Sequence, residues 1–165
     1  MQSNKINLLR RYVVNRILLP GRRYGKLTVN EDSLDAVCDC GCECYVRPKM
    51  VYNGMGLSCG CESIVGKPLV YAVSACGYVK IGYSTNFCYR IEAIQNATPD
   101  DVKVLCLLTG ATKRKEKMIH KSLKRFSTHL EWFVECDALL QAIFNSDDAD
   151  DLLANADSIA NASFD

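Results

Sequence analysis

Two runs of β-branched and aromatic residues, LVYAVSA (69–75) and YVKIGYS (78–84), are separated only by Cys76 and Gly77. This pattern predicts a tight antiparallel hairpin. Ser84, Thr85 or Asn86 then caps a helix through FCYRIEAIQNA, with Pro99 beyond its end. VKVLCLLTG (102–110) reads as a further strand, and Thr112 opens a helix through KRKEKMIHKSLKRF. LEWFV (130–134) is a short strand or turn, and CDALLQAIF a last amphipathic helix. Upstream, LPGRRYGKLTV gives a Pro-Gly turn and a strand at Leu27 to Val29. ESIVGKP (62–68), punctuated by Gly66 and Pro68, reads as a linker. The order is therefore a cysteine-rich module (21–66), a β-β-α-β-α-(β)-α domain (67–145) and an end segment (146–165).

Charge modifies the two ends of this picture. The first 20 residues carry Lys5, Arg10, Arg11 and Arg16 and no acid, which predicts a basic amphipathic helix. A transit peptide would be richer in serine and show a small-residue cleavage site. The net charge of +1 conceals an asymmetry, because Asp147, Asp148, Asp150, Asp151, Asp157 and Asp165 fall in the last 20 residues, where no lysine or arginine occurs. The tail reads as a solvated, partly flexible end, or as an acidic segment competing for the basic surface. The remaining body is basic and suits a polyanion such as nucleic acid. No apolar run approaches the roughly 20 residues of a membrane span. A cytoplasmic protein without membrane attachment is expected.

Six of the ten cysteines, Cys38, Cys40, Cys42, Cys44, Cys59 and Cys61, lie within 24 residues. Without a signal peptide, metal binding is a better reading than a disulfide scaffold. Cys38/Cys40 and Cys59/Cys61 form two CxC pairs beside Gly41 and Gly60, and four thiolates in tetrahedral array make a structural Zn2+ site. Cys42 or Cys44 could replace a member of the first pair. The string GRRYGKLTV…CDCG…VYNGMGLSCGC resembles the zinc-binding segment that accompanies nuclease domains in phage homing-type endonucleases. Gly21, Tyr24, Gly25, Leu27 and Val29 match its opening. The resemblance implies a DNA-contacting accessory module.

On the predicted helix from Lys113, residues Ile119, Leu123 and Phe126 share one face, with Glu116 and His120 at its edge one turn apart. Lys113, Lys117, Lys121 and Lys124 line the next sector. This order suits phosphodiester chemistry: a carboxylate for a divalent metal, an imidazole for protons and lysines for the phosphate backbone. It equally suits a helix supported by i,i+4 pairing. Arg90 sits beside the core positions Ile91 and Ile94, leaving its guanidinium free for a phosphate.

With these residues in place, 69–134 resembles the GIY-YIG nuclease superfamily, in its divergent phage and fungal-meiotic branch. LVYAV stands at the first motif, VKIGYS at the second, and Glu116, His120 and the EWF of 131–133 at the later ones. The resemblance implies an α+β fold with a small three-stranded antiparallel sheet flanked by helices. It implies a phage-encoded or homing-type DNA endonuclease using Mg2+ or Mn2+. Tyr71 would position the attacking water, Arg90 would stabilise the phosphorane and Glu116 would hold the metal. Lys80 stands where the family usually has tyrosine, so Tyr83 or Lys80 could supply the base, or Lys80 could only bind phosphate. A non-catalytic nucleic-acid-binding or regulatory protein keeping that fold is the alternative. Trp132 reads as core packing, with base stacking the lesser reading.

Overall fold

Residues 69–75 are buried without exception, which a half-exposed hairpin strand would not be. The reason is position, in a sheet covered on both faces. A computed structural model describes residues 18–33, 35–52, 54–63 and 66–162. The strands are β1 (Arg23–Tyr24), β2 (Leu27–Val29), β3 (Asp35–Cys38), β4 (Glu43–Tyr45), β5 (Leu69–Ala75), β6 (Tyr78–Ser84), β7 (Lys103–Leu108), β8 (Ser127–His129) and β9 (Trp132–Val134). The helices are α1 (Pro48–Tyr52), α2 (Phe87–Asn96), α3 (Lys113–Ser122), α4 (Asp137–Phe144) and α5 (Ala149–Asn161).

The sheet is not three-stranded. Nine strands form one mixed sheet in the order β4-β3-β2-β1-β7-β5-β6-β9-β8. The cysteine-rich segment joins it because β1 runs parallel to β7 at Tyr24↔Leu107, and the Gly25 N–H donates to the Leu107 carbonyl at 2.8 Å. Tyr24, Leu27, Cys38, Val51 and Leu57 share one buried cluster with Tyr71, Val73, Phe87 and Leu107. The expected module and the expected domain thus share a sheet and a core. A second core on the opposite face places Val70, Ala72, Val79, Ile81 and Phe133 against α3, α4 and α5.

The local signals explain the element ends. Cys76 (φ 54°) and Gly77 (φ 80°) are both left-handed, as a two-residue type I′ hairpin turn requires. Asn86 is the cap chosen for α2, accepting from the Tyr89 N–H, while Ser84 Oγ accepts from the Asn86 N–H at 3.0 Å. Thr112 caps α3 through the Lys115 N–H at 3.1 Å. The α-helix stops at Ser122, short of the predicted Phe126, because Lys124–Phe126 tighten into a 3-10 turn leading to β8. The basic helix expected over 1–20 falls mostly outside the described residues; Leu18 and Leu19 are buried and not helical. No helix among the described residues is long and apolar enough to cross a membrane.

The acidic end is a helix rather than a flexible tail. Asp148 caps α5 by accepting from the N–H groups of Asp150 and Asp151 at 2.8 and 2.9 Å. Asp150 and Asp151 occupy the first turn, where the helix dipole favours negative charge. Ala149, Leu152 and Ala156 face the second core and are fully buried. Lys115 reaches across from α3 to Asp150 at 2.8 Å. Asp148→Ala should lower unfolding free energy by about 1 kcal/mol in urea titrations, the usual cost of a lost cap.

Candidate active site and metal centre

The register of the hairpin places Tyr71 opposite Gly82 and Val73 opposite Lys80. Residues 71, 80 and 82 therefore share the face covered by α2, and Lys80↔Trp132 adds Trp132 to it. The Tyr71 ring lies across Gly82, packed on Phe87 at 5.4 Å. A Cβ at position 82 would sit 2.3 Å from the Tyr71 hydroxyl and 2.5 Å from the adjoining ring carbon, so glycine is needed there. Burial pushes the Tyr71 phenol up to about 12; the charge of Arg90 opposes this, and those of Glu131 and Glu116 add to it. Tyr71 is thus a neutral phenol at physiological pH, buried over Gly82, with its hydroxyl within the field of one guanidinium and two carboxylates.

Lys80 is not a lysine snorkelling free to water. Its Nζ donates to Glu131 Oε2 at 2.6 Å and lies 5.5 Å from the centroid of the Trp132 ring. Its side chain is only 14% exposed, while Glu131 remains 41% exposed and open to exchange. Glu131 was not singled out by sequence beyond its place in the EWF string. It lies 51 residues from Lys80, and only the β6–β9 pairing brings the two together.

Glu116 and His120 approach from α3, on the other face. Pairing of β9 with β6 ends at Lys80↔Trp132, with the Ile81 N–H donating to the Glu131 carbonyl at 3.3 Å. The Ile81 carbonyl is then left to His120, whose Nε2 lies 2.8 Å from it. A carbonyl only accepts, so Nε2 carries the proton and Nδ1 is the nitrogen left for chemistry. The ring also stands edge-on to Phe133 at 5.4 Å. Glu116 Oε1 is 3.9 Å from His120 Nε2, a long contact, and no other cationic side chain pairs with Glu116 among the described residues. Arg90 is exposed on α2.

Tyr83 lies on the α3 side of the sheet, the side of Glu116 and His120 rather than that of Tyr71 and Lys80. It packs at the border of the second core. Lys113, Lys117, Lys121 and Lys124 are all exposed, as a ribbon contacting a polyanion would be. Lys115 is turned away to Asp150 and the Gly110 carbonyl.

The cysteines build a second site. Cys38 ends β3, Cys40 lies in the following turn, and Cys59 and Cys61 lie in the loop after α1. Their four sulfurs lie within 4.8 Å of one another, with Cys40 3.3 Å from Cys59 and Cys38 3.7 Å from Cys61. Gly41 (φ 88°) and Gly60 (φ 103°) supply the left-handed turns that fold each CxC back on itself. Protons are shared unevenly here. The Cys42 backbone N–H and the neighbouring thiols draw Cys40 down to about 6, while the Cys59, Cys40 and Cys38 thiols push Cys61 up to about 12. Four sulfurs this close ionise together only around a cation. Cys42 and Cys44 are not among the four close sulfurs: Cys42 is exposed with its thiol hydrogen-bonded to Cys40 and Cys59, and Cys44 is half-buried on β4 against the core. Glu62 bridges Lys26 and Lys67 and thereby ties the second knuckle to the turn before β2.

The T5orf172 domain family matches residues 69–153. Neither a curated protein nor a solved structure matches the chain. The matched region opens at the first residue of β5, includes Tyr71, Lys80, Gly82, Arg90, Glu116, His120 and Glu131, and runs into α5. It spans just over half of the sequence, and the chain belongs to the T5orf172 domain family.

Proposed function

We propose that the protein is a metal-dependent DNA endonuclease of the GIY-YIG type, with the four-cysteine cluster as a structural Zn2+ site. The observation that carries this reading is the Tyr71 phenol packed over Gly82 within the electrostatic reach of Arg90, Glu116 and Glu131, inside the T5orf172 match. Tyr71, buried over Gly82 in the resting structure, would position the attacking water once its hydroxyl is uncovered. The water oxygen bonds to phosphorus as one phosphodiester P–O bond breaks, and the proton that the water gives up ends, by way of solvent, on the leaving oxygen. Arg90 neutralises the negative charge that gathers on the non-bridging oxygens. Glu116, 3.9 Å from His120 and paired with no lysine or arginine among the described residues, would hold Mg2+ or Mn2+, which supplies Lewis-acid polarisation of the phosphate. Lys80 binds phosphate by exchanging Glu131 for a phosphate oxygen. The exposed lysines of α3 follow the DNA backbone.

Cleavage of supercoiled plasmid with Mg2+ or Mn2+ tests the reading. Glu116→Ala and Tyr71→Phe should each lower the rate by about 100-fold or more, the scale for removing a preorganised electrostatic group. Metal-dependent nicking that persists in both variants would sink it. The closed Lys80–Glu131 pair favours a second reading, a binding protein that no longer cuts. Salt-sensitive DNA binding with no cleavage in any divalent metal would establish that alternative instead.

A further inference from the structure

Beside the catalytic group, on the α2 face, a pocket of about 410 Å3 opens between the β5–β6 turn, the residues after α2, and β8 and β9. This volume falls within the roughly 300–1,000 Å3 of small-molecule sites. Its walls include Tyr78, His129, Trp132 and Pro99, and no Asp, Glu, Lys or Arg lines it. Thr98 and Thr128 add two hydroxyls, whose protons go to the Ile94 carbonyl (2.6 Å) and the Trp132 carbonyl (3.0 Å). Each hydroxyl therefore presents lone pairs rather than a donor. The indole N–H and the His129 ring form no hydrogen bond among the described residues.

Trp132 belongs to two sites at once. It lines the pocket, and its ring centroid is 5.5 Å from Lys80 Nζ. An aromatic cleft without carboxylates or lysines, beside a lysine that can exchange Glu131 for a phosphate oxygen, is complementary to a nucleotide, which joins an uncharged ring to an anionic phosphate. We propose that the pocket takes one unpaired nucleobase, stacked on Trp132, from the DNA strand whose phosphate sits at Lys80. This rests on the nuclease reading above and narrows its substrate class to DNA with an unpaired base next to the cut. A base inside an intact duplex has no free face for the indole. A bulged, flapped or single-stranded one does, and stacking on an aromatic side chain contributes roughly 1–3 kcal/mol per base.

Trp132 is the sole tryptophan of the chain, so its emission reports on the pocket without substitution. The full-length protein is titrated, without added magnesium or manganese, with a labelled duplex bearing one unpaired thymine and with the fully paired duplex of equal length. DNA anisotropy reports binding and tryptophan emission reports the pocket. The expected result is quenching by the bulged duplex alone, with affinity about 5- to 10-fold above that of the paired one. His129→Ala should narrow that difference. Binding of the bulged duplex with unchanged emission, or equal quenching and affinity for both duplexes, would overturn the pocket while leaving the nuclease reading intact. If neither duplex changes the anisotropy, both are overturned together.

Discussion

With zinc held by the four-cysteine cluster as proposed, Cys59→Ser should lower the melting temperature by roughly 6–12 °C, corresponding to a loss of about 3 kcal/mol or more, and strip that metal. Structural four-thiolate sites contribute about 10–16 kcal/mol of apparent binding free energy in small zinc peptides, and that binding energy is folding energy. The two knuckles have little else to hold them. Cys40 and Cys61 are exposed, and the turns at Gly41 and Gly60 are glycine conformations that relax without the metal. The loss also spreads, because Cys38 packs in the same buried cluster as Tyr24, Leu57, Phe87 and Leu107. Thermal unfolding by circular dichroism, with metal content measured in parallel, checks it. Cys44→Ser is the matched control and should keep the metal, since Cys44 is not among the four close sulfurs and makes no thiol hydrogen bond to them. A Cys59→Ser protein that melts with its parent and retains full zinc would remove this account.

Gly82→Ala has a comparable effect on the other half of the sheet. One methyl group would meet the Tyr71 hydroxyl at 2.3 Å, and Tyr71 is 1% exposed, pinned by Phe87. The ring has no open space to retreat into, so overpacking should cost about 1–3 kcal/mol. The displaced hydroxyl should also stop plasmid cleavage. Tyr71→Leu combined with Gly82→Ala separates the effects: unfolding titrations should show the pair less destabilised than the two single changes summed, because the clash is shared. Strict additivity would mean that the tyrosine does not lie over residue 82.

These two cases also mark what sequence can and cannot reveal. The hairpin, the caps at Asn86 and Thr112, and the two CxC pairs are local features, written within a few residues, and all are present. Glu116 and His120 were legible as neighbours one turn apart. That His120 is bound to Ile81 depends on where β9 stops, which no local pattern records. Glu131 was hidden for the same reason. Tyr83 was a matter of parity: three residues from Lys80, it must face the other side of a strand. In α5 the aspartates mask a buried stripe of Ala149, Leu152 and Ala156, because the charges lie at the cap and first turn while the small apolar residues carry the helical period. The nine-stranded sheet was illegible because β1 has two residues and finds its parallel partner about 80 positions later.

That seam between β1 and β7 is thin, one residue pair and one hydrogen bond from Gly25, yet it determines how the chain can be cut. A fragment starting at residue 69, where the family match begins, would leave β7 with an unguarded flank of amide and carbonyl groups beside freshly bared Leu107. Such a flank is a template for pairing with another copy, the first step of aggregation. The cysteine-rich strands thus also cover the edge through which the T5orf172 half would otherwise pair with itself.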